Sequence, residues 1–203
     1  MTGKSHLLTS VGSAVVGTNI LLATVAYAPE KISTIANKVL HFLAGTDSGL
    51  PIAVYAGISI VYFLFASVLP DIDKDTSMVS KLLHFHLKIE HHTWTHTLWA
   101  LLLIVPLIAF RPFVFLFLGY FCHLFWDSFS ACGNAWLYPI TKYRRYGENA
   151  KVKNGHKLKL YYTGQASEYV VLGSFLTVVV FMCIWFVHDG IYARALNIVG
   201  QIF

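Results

Sequence analysis

Three short clusters of acids and imidazoles carry the chemistry-capable residues of this chain. Leu69-Pro70-Asp71-Ile72-Asp73 comes first. Glu90-His91-His92-Thr93-Trp94-Thr95-His96-Thr97 follows, then Gly119-Tyr120-Phe121-Cys122-His123-Leu124-Phe125-Trp126-Asp127. Each sits at the end of a long apolar run. A charged side chain so near hydrocarbon is costly unless it is paired, hydrated or bound. One or two divalent ions held at the membrane surface would account for all three clusters.

The spacings support that reading piece by piece. An extended segment after Pro70 would turn Asp71 and Asp73 to one side, and close carboxylates repel unless a cation lies between them. A solvated turn is the plain alternative. His92 and His96 are four apart, so on a helix they share a face, as the histidines of HExxH sites do. His91 stands five residues from His96. Neutral imidazole is the commonest metal ligand, whereas histidines beside Trp94 and Trp99 would also suit an interfacial aromatic belt. His123 and Asp127 are again four apart. They form either two ligands or a ligand and its orienting carboxylate, or else a structural pair. Glu168 follows Thr163-Gly164-Gln165-Ala166-Ser167, where an acid in a first helical turn is ordinary dipole design. Mixed nitrogen and oxygen donors suit zinc first, with manganese or iron as alternatives.

These residues need elements to hold them. Hydrophobic residues make up 56% of the 203 and charged residues 12%, about half the charged share of soluble domains. The expected fold is all-α: a polytopic transmembrane helical bundle in a single domain, 1–203. About five spans are expected, near 7–28, 51–69, 93–110, 113–129 and 168–187. The run ending at Ala26-Tyr27-Ala28 imitates a signal peptide but is too long for one, so it is expected to be a retained span. Lys31 to Leu43 reads as a short interfacial helix after the first span. Ser77 to Lys88 can be helical, with Leu82, Leu83 and Leu87 inward. The three cysteines are odd in number and lack a CxxC, which argues against a disulfide framework.

Five spans alternate the connecting segments between two sides. One side carries Lys4, Lys74, Lys81, Lys88, Lys142, Arg144, Arg145, Lys151, Lys153, Lys157 and Lys159; the other has Lys31, Lys38, Arg111 and Arg194. The positive-inside rule makes the richer side cytoplasmic, including the basic loop 130–167. The N-terminus is then cytoplasmic and the C-terminus outside. His6, Asp71, Asp73, His91, His92, His96, His123, Asp127 and Glu168 all fall on that cytoplasmic side, which was no input to the span assignment.

The motifs resemble the YdjM/YbcI-like membrane-bound metal-dependent hydrolases, some of which are described as LexA-regulated. The resemblance rests on Leu-Pro-Asp71-Ile-Asp73, His91-x-x-x-Thr95-His96-Thr97, Gly119-Tyr-x-x-His123-x-x-x-Asp127, Gly133 and Leu137-Tyr138-Pro139. Met1-Thr2-Gly3-Lys4-Ser5-His6 and Thr163-Gly164 with Glu168 are similar too, so the likeness spans roughly residues 1–170. The family's histidine motif usually reads His-Arg-x-x-Thr-His-Ser; here His92 stands where that arginine would be. The resemblance implies hydrolysis by a metal-activated water in the bacterial inner membrane, in a stress-response setting. The residue types and their common membrane face make Asp71, Asp73, His91, His96, His123, Asp127 and His6 the candidate metal ligands, with His92 as a further ligand where the family has its arginine, and Glu168 or Asp73 as base.

A site at headgroup level points to a lipid or lipid-linked phosphate ester. Arg144, Arg145 and Lys153 are candidates to hold its phosphate, although cytoplasmic positive charge explains them as well. Nothing calls for a nucleic-acid partner, and the sequence sets no oligomeric state. Two other classes compete. A divalent-metal transporter would place its ligands near the midplane, often on broken helices, whereas here they gather at one end. A structural or stress-response protein would use the polar clusters only to join helices.

Overall fold

The computed structural model describes residues 1–89, 91, 93–140, 158 and 160–200. Those residues form helices and connecting turns, with a lone bridge between Ser130 and Tyr161 as the only β-pairing among them. Helix α1 covers Gly3–Tyr27, and Thr2 caps it by accepting from the Ser5 N–H. Helix α2, Glu30–Ala44, is amphipathic and begins directly after Pro29. It ends where Gly45, at φ 66°, turns its N–H back onto the carbonyls of His41 and Phe42, a left-handed geometry that suits glycine. Helix α3 is Ile52–Ala66.

Pro70 then opens a 3₁₀ turn over Leu69–Asp73, and helix α4 covers Met78–Leu83. A second 3₁₀ turn, Trp94–His96, leads to Thr97, whose hydroxyl caps α5, Leu98–Ile104. Pro106 draws the chain beyond α5 into a 3₁₀ continuation, Val105–Ala109. Helix α6 is Phe113–Ser128, α7 Ala166–His188 and α8 Ile191–Gly200.

Helix α6 packs along α3, and α1 lies against α2, α6, α7 and α8. Gly119 permits the α3–α6 approach, because a Cβ there would run into the carbonyl oxygen of Phe63. Ala66, Leu101, Ile104, Tyr120 and Leu124 fill the seam between α3, α5 and α6. Met1, Trp126 and Tyr161 form a second cluster beside it.

Helices α1, of 25 residues, and α7, of 23, are long and apolar enough to cross a membrane. The apolar stretches Ile52–Ala66, Leu98–Ala109 and Phe113–Ser128 are shorter. Two candidate spans, not five, therefore stand on length and composition. Three local expectations are corrected. Asp71 and Asp73 sit in a 3₁₀ turn, not an extended segment, since proline's fixed φ favours a turn there. His96 precedes α5 instead of riding on it, because Thr97 is the cap. The helix expected over Ser77 to Lys88 stops at Leu83, and Leu82, Leu83 and Leu87 are exposed. Its inward face is Val79 and Ser80, drawn in by the Ser80 hydroxyl bonding to the Ile72 carbonyl.

Candidate metal centre

The first 3₁₀ turn presents two carboxylates in different directions. Asp71 Oδ1 lies 3.7 Å from His96 Nε2, 3.7 Å from His123 Nε2 and 3.8 Å from His91 Nε2. Asp73 faces the Nδ1 side of His91 and His96. Its Oδ1 is 2.6 Å from His91 Nδ1, and its Oδ2 accepts from the Thr95 hydroxyl at 2.5 Å. Thr95 in turn lies 2.9 Å from His96 Nδ1. With Thr95 donating to Asp73, the His96 Nδ1–H donates to Thr95, and Nε2 is the atom aimed at Asp71. Tyr120 fixes this turn by donating to the Thr95 carbonyl at 2.5 Å.

Helix α6 brings the other half. His123 Nδ1 donates to the Ser67 carbonyl at 2.8 Å, just past the end of α3, so its Nε2 is the acceptor. That Nε2 lies 3.4 Å from Asp127 Oδ2, and His96 Nε2 lies 3.5 Å from the same oxygen. The other Asp127 oxygen is 3.1 Å from His6 Nε2 and 2.9 Å from the α-amino group of Met1. His6 stacks on His123 with ring centroids 3.7 Å apart. Two metal-capable groups thus adjoin: His6, His123 and Asp127, and Asp71, His91 and His96.

The spacing of the donor atoms is informative. Four corners of a tetrahedron around an ion with bonds of about 2.0–2.2 Å lie about 3.3–3.6 Å apart. Asp71 Oδ1, His96 Nε2, His123 Nε2 and Asp127 Oδ2 are separated by 3.4–3.7 Å along the four edges given above. Those distances are too long for good hydrogen bonds yet suit lone pairs converging on one cation. Burial strengthens the case: His6, His96 and His123 are fully buried, and neither His123 Nε2 nor His6 Nδ1 has a hydrogen-bond partner among the described residues. A buried polar atom left this way carries a substantial penalty that a bound cation would remove. The donor set therefore fits a divalent ion.

The electrostatics agree. Burial pushes the Asp71 carboxyl up, but the His123 and His96 imidazoles beside it outweigh burial and hold the group well below the usual range. Asp73 is likewise held low against burial, by His91 and His96. Burial opposes protonation of His96, yet the Asp71 and Asp73 carboxylates 3.7 and 3.5 Å away raise its pKa to about 9. Without a metal, this nest of carboxylates recruits a proton in its place.

Most of the residues singled out in the sequence come together here: His6, Asp71, Asp73, His91, His96, His123 and Asp127. His92, Arg144, Arg145 and Lys153 lie outside the described residues. Glu168 is buried but turned to the backbone: Oε1 accepts from Thr2 N–H at 2.8 Å and Oε2 from Gly164 N–H at 2.6 Å. It ties the start of α1 to the loop before α7. Sequence reasoning gave no role to the Ser67 carbonyl or to the Thr95 and Tyr120 hydroxyls. Both hydroxyls lie inside the quoted motifs, so a buried polar side chain within a motif was the signal available.

Helical packing, two membrane-length helices and a buried aspartate–histidine nest define the class: an integral membrane protein with a site able to hold a metal. The family described as YdjM inner membrane protein matches residues 1–191, and the chain belongs to that family. No curated protein and no solved structure matches it.

Proposed function

We propose that this chain is a membrane-embedded, metal-dependent hydrolase acting on a phosphate ester of a lipid or lipid-linked substrate. In this reading all five apolar segments cross the inner membrane, with the N-terminus and the cluster on the cytoplasmic side, as the lysine and arginine asymmetry requires. One observation carries the metal reading: four donor atoms from three chain segments sit at coordination-edge spacing, and the His123 Nε2 among them is buried without a hydrogen-bond partner.

Asp71, His96, His123 and Asp127 would hold the ion, zinc first, with His91 and His6 flanking it and able to complete a second site. A bound divalent ion supplies Lewis-acid polarisation of a phosphoryl oxygen and acidifies water. The residues supply the rest. Ser67 and Thr95 fix the tautomers of His123 and His96, as partners of ligating histidines commonly do. His91 is the cluster imidazole that solvent reaches, with its side chain 16% exposed. Its Nε2 accepts the proton released in hydrolysis, and Asp73 at Nδ1 balances the charge. Glu168 holds backbone in place, so of the two carboxylates expected to serve as base, Asp73 is the one that acts, through His91.

The test is metal analysis of the purified protein, followed by hydrolysis of phospholipid and lipid-phosphate substrates with and without chelator. Metal-dependent release of phosphate or headgroup supports the reading. Stoichiometric metal without turnover on any phosphate ester would assign the chain to metal binding or transport instead.

A further inference from the structure

Beside the cluster lies a polar chamber of about 450 Å³, walled by Asp73 and His91 together with Lys74, Lys88 and His86. Leu87 and Ile89 form its apolar side. The same two residues open a second space, a groove of about 480 Å³ that continues over Trp94, Trp99, Leu102 and Leu103. One continuous surface therefore changes from charged to hydrocarbon-like within a few residues. We propose that the chamber takes the headgroup of the lipid phosphate and that the groove along α5 takes one hydrocarbon tail of the same molecule.

This rests on the lipid-phosphate reading above and adds where and how the lipid binds. Three observations favour this groove. First, His91 is partly exposed while His6, His96 and His123 are not, so substrate meets the cluster from the chamber side. Second, Thr95 and Tyr120 line the groove and also belong to the site: Tyr120 bonds to Thr95, and Thr95 bonds to Asp73. A tail seated there lies against the residues that orient His91 and His96. Third, Trp94 and Trp99 line the groove at the polar start of α5, which in the five-span reading is the water–hydrocarbon level at which tryptophan is favoured. A rival apolar cavity of about 440 Å³, lined by Ala14, Thr18, Ile60, Phe63 and Phe115, contains none of the cluster residues.

The groove fits a tail and not a peptide helix. Its exposed side chains are bulky and apolar, Leu103 at 80% and Trp94 at 50% exposure, while charge is confined to the chamber end. Lys74 and Lys88 suit a phosphate as point charges, and Asp73 and Asp75 on the same walls balance them, so the two lysines act locally and the chamber is not a basic surface.

The experiment uses the full chain, zinc-loaded, in detergent micelles. The probe is a hexadecyl phosphate carrying a diazirine at the tail end, with adducts mapped by peptide mass spectrometry. Adducts should concentrate between Trp99 and Leu103. Excess unlabelled hexadecyl phosphate should suppress them at least about tenfold, as a competitor at about ten times its Kd requires, whereas inorganic phosphate should not. Ala100→Trp, which fills the groove, should give a similar loss with bound zinc unchanged. Leu103→Trp, at an exposed position, serves if the first variant does not fold. Labelling spread evenly over α1 and α7, labelling centred on Ala14, Thr18 and Ile60, or labelling unaffected by competitor would overturn the proposal.

Hydrolysis of hexadecyl phosphate and of soluble p-nitrophenyl phosphate separates the two readings. Equal turnover of both overturns the tail site and leaves the hydrolase standing. Groove labelling without turnover of either leaves the tail site and removes the hydrolase.

Discussion

Metal-free protein should lose stability as pH rises from about 6.5 to 9, and His96 should be responsible. The imidazole is fully buried and its pKa rises from 6.5 to about 9 beside Asp71 and Asp73. A group whose folded-state pKa is raised stabilises the fold fully below its unfolded pKa, and that contribution fades as pH passes the folded value. At about 1.4 kcal/mol per pH unit, the difference is roughly 3 kcal/mol. For a chain of this size, each kcal/mol moves Tm by about 2–4 °C. Chelated protein in detergent should therefore melt roughly 6–12 °C lower at pH 9 than at pH 6.5. Zinc requires the neutral imidazole, so loaded protein should lose this slope, and apparent affinity should climb by up to about tenfold per pH unit below 9. Differential scanning fluorimetry across pH, with and without chelator, reads both. A metal-free melting point that is flat or rising over this window refutes the argument, as does a His96→Gln protein that keeps the wild-type slope.

Asp71 and Asp73 should separate cleanly by metal analysis: Asp71→Asn loses stoichiometric metal, while Asp73→Asn binds about 10–100-fold more weakly, the usual cost of removing an orienting partner. Glu168→Ala leaves the Thr2 and Gly164 N–H groups unsatisfied, which at about 1–3 kcal/mol each should lower Tm visibly; Glu168→Gln should keep metal and turnover, and a loss of about 10²–10⁴-fold in rate with metal retained would make it the base after all. Gly119→Ala should push α6 from α3, lengthen the Ser67–His123 bond and weaken zinc binding, with isothermal titration as the readout. A reporter fused after Phe203 should read as outside and one inserted in the 130–167 loop as cytoplasmic; the reverse pattern would invert the proposed orientation.

The convergence of the cluster was legible in the sequence because membrane topology is a strong constraint. The expected alternation of apolar runs put His6, Asp71, His91, His96, His123 and Asp127 at one end, and the structure brings those side chains together, although only two helices stand as spans on length and composition. What could not be read was local geometry. Helical spacing made His92 and His96 look like a pair, yet the threonine cap at Thr97 puts His96 in a turn, where three-dimensional contact with Asp71 replaces periodicity. The division of labour between Asp71 and Asp73 follows from a 3₁₀ turn, which sends residues two apart in different directions. Main-chain partners such as the Ser67 carbonyl leave no trace in residue type. Glu168 was ambiguous for the same reason, since an acid opening a helix looks alike whether it meets a proton or a backbone amide.

The lengths of the helices have a consequence for the lipid around them. At about 1.5 Å per residue, α1 reaches roughly 37 Å and α7 roughly 34 Å, whereas α3 and α6 reach only about 22–24 Å. A hydrocarbon core is about 30 Å thick, and a short apolar helix is accommodated by thinning the bilayer beside it. With all five segments crossing, as proposed, the protein has a thick flank and a thin flank, and the aspartate–histidine nest lies where they meet, between His6 of α1 and His123 and Asp127 of α6. In the proposed reading, headgroups beside the short helices would sit deeper than elsewhere, and the membrane would carry phosphates down toward the site. Bilayer thickness would then be a variable of the proposed reaction: shorter-chain lipids would relieve the mismatch along α3 and α6, and longer-chain lipids would strain the α3–α6 seam that holds His123 against Ser67.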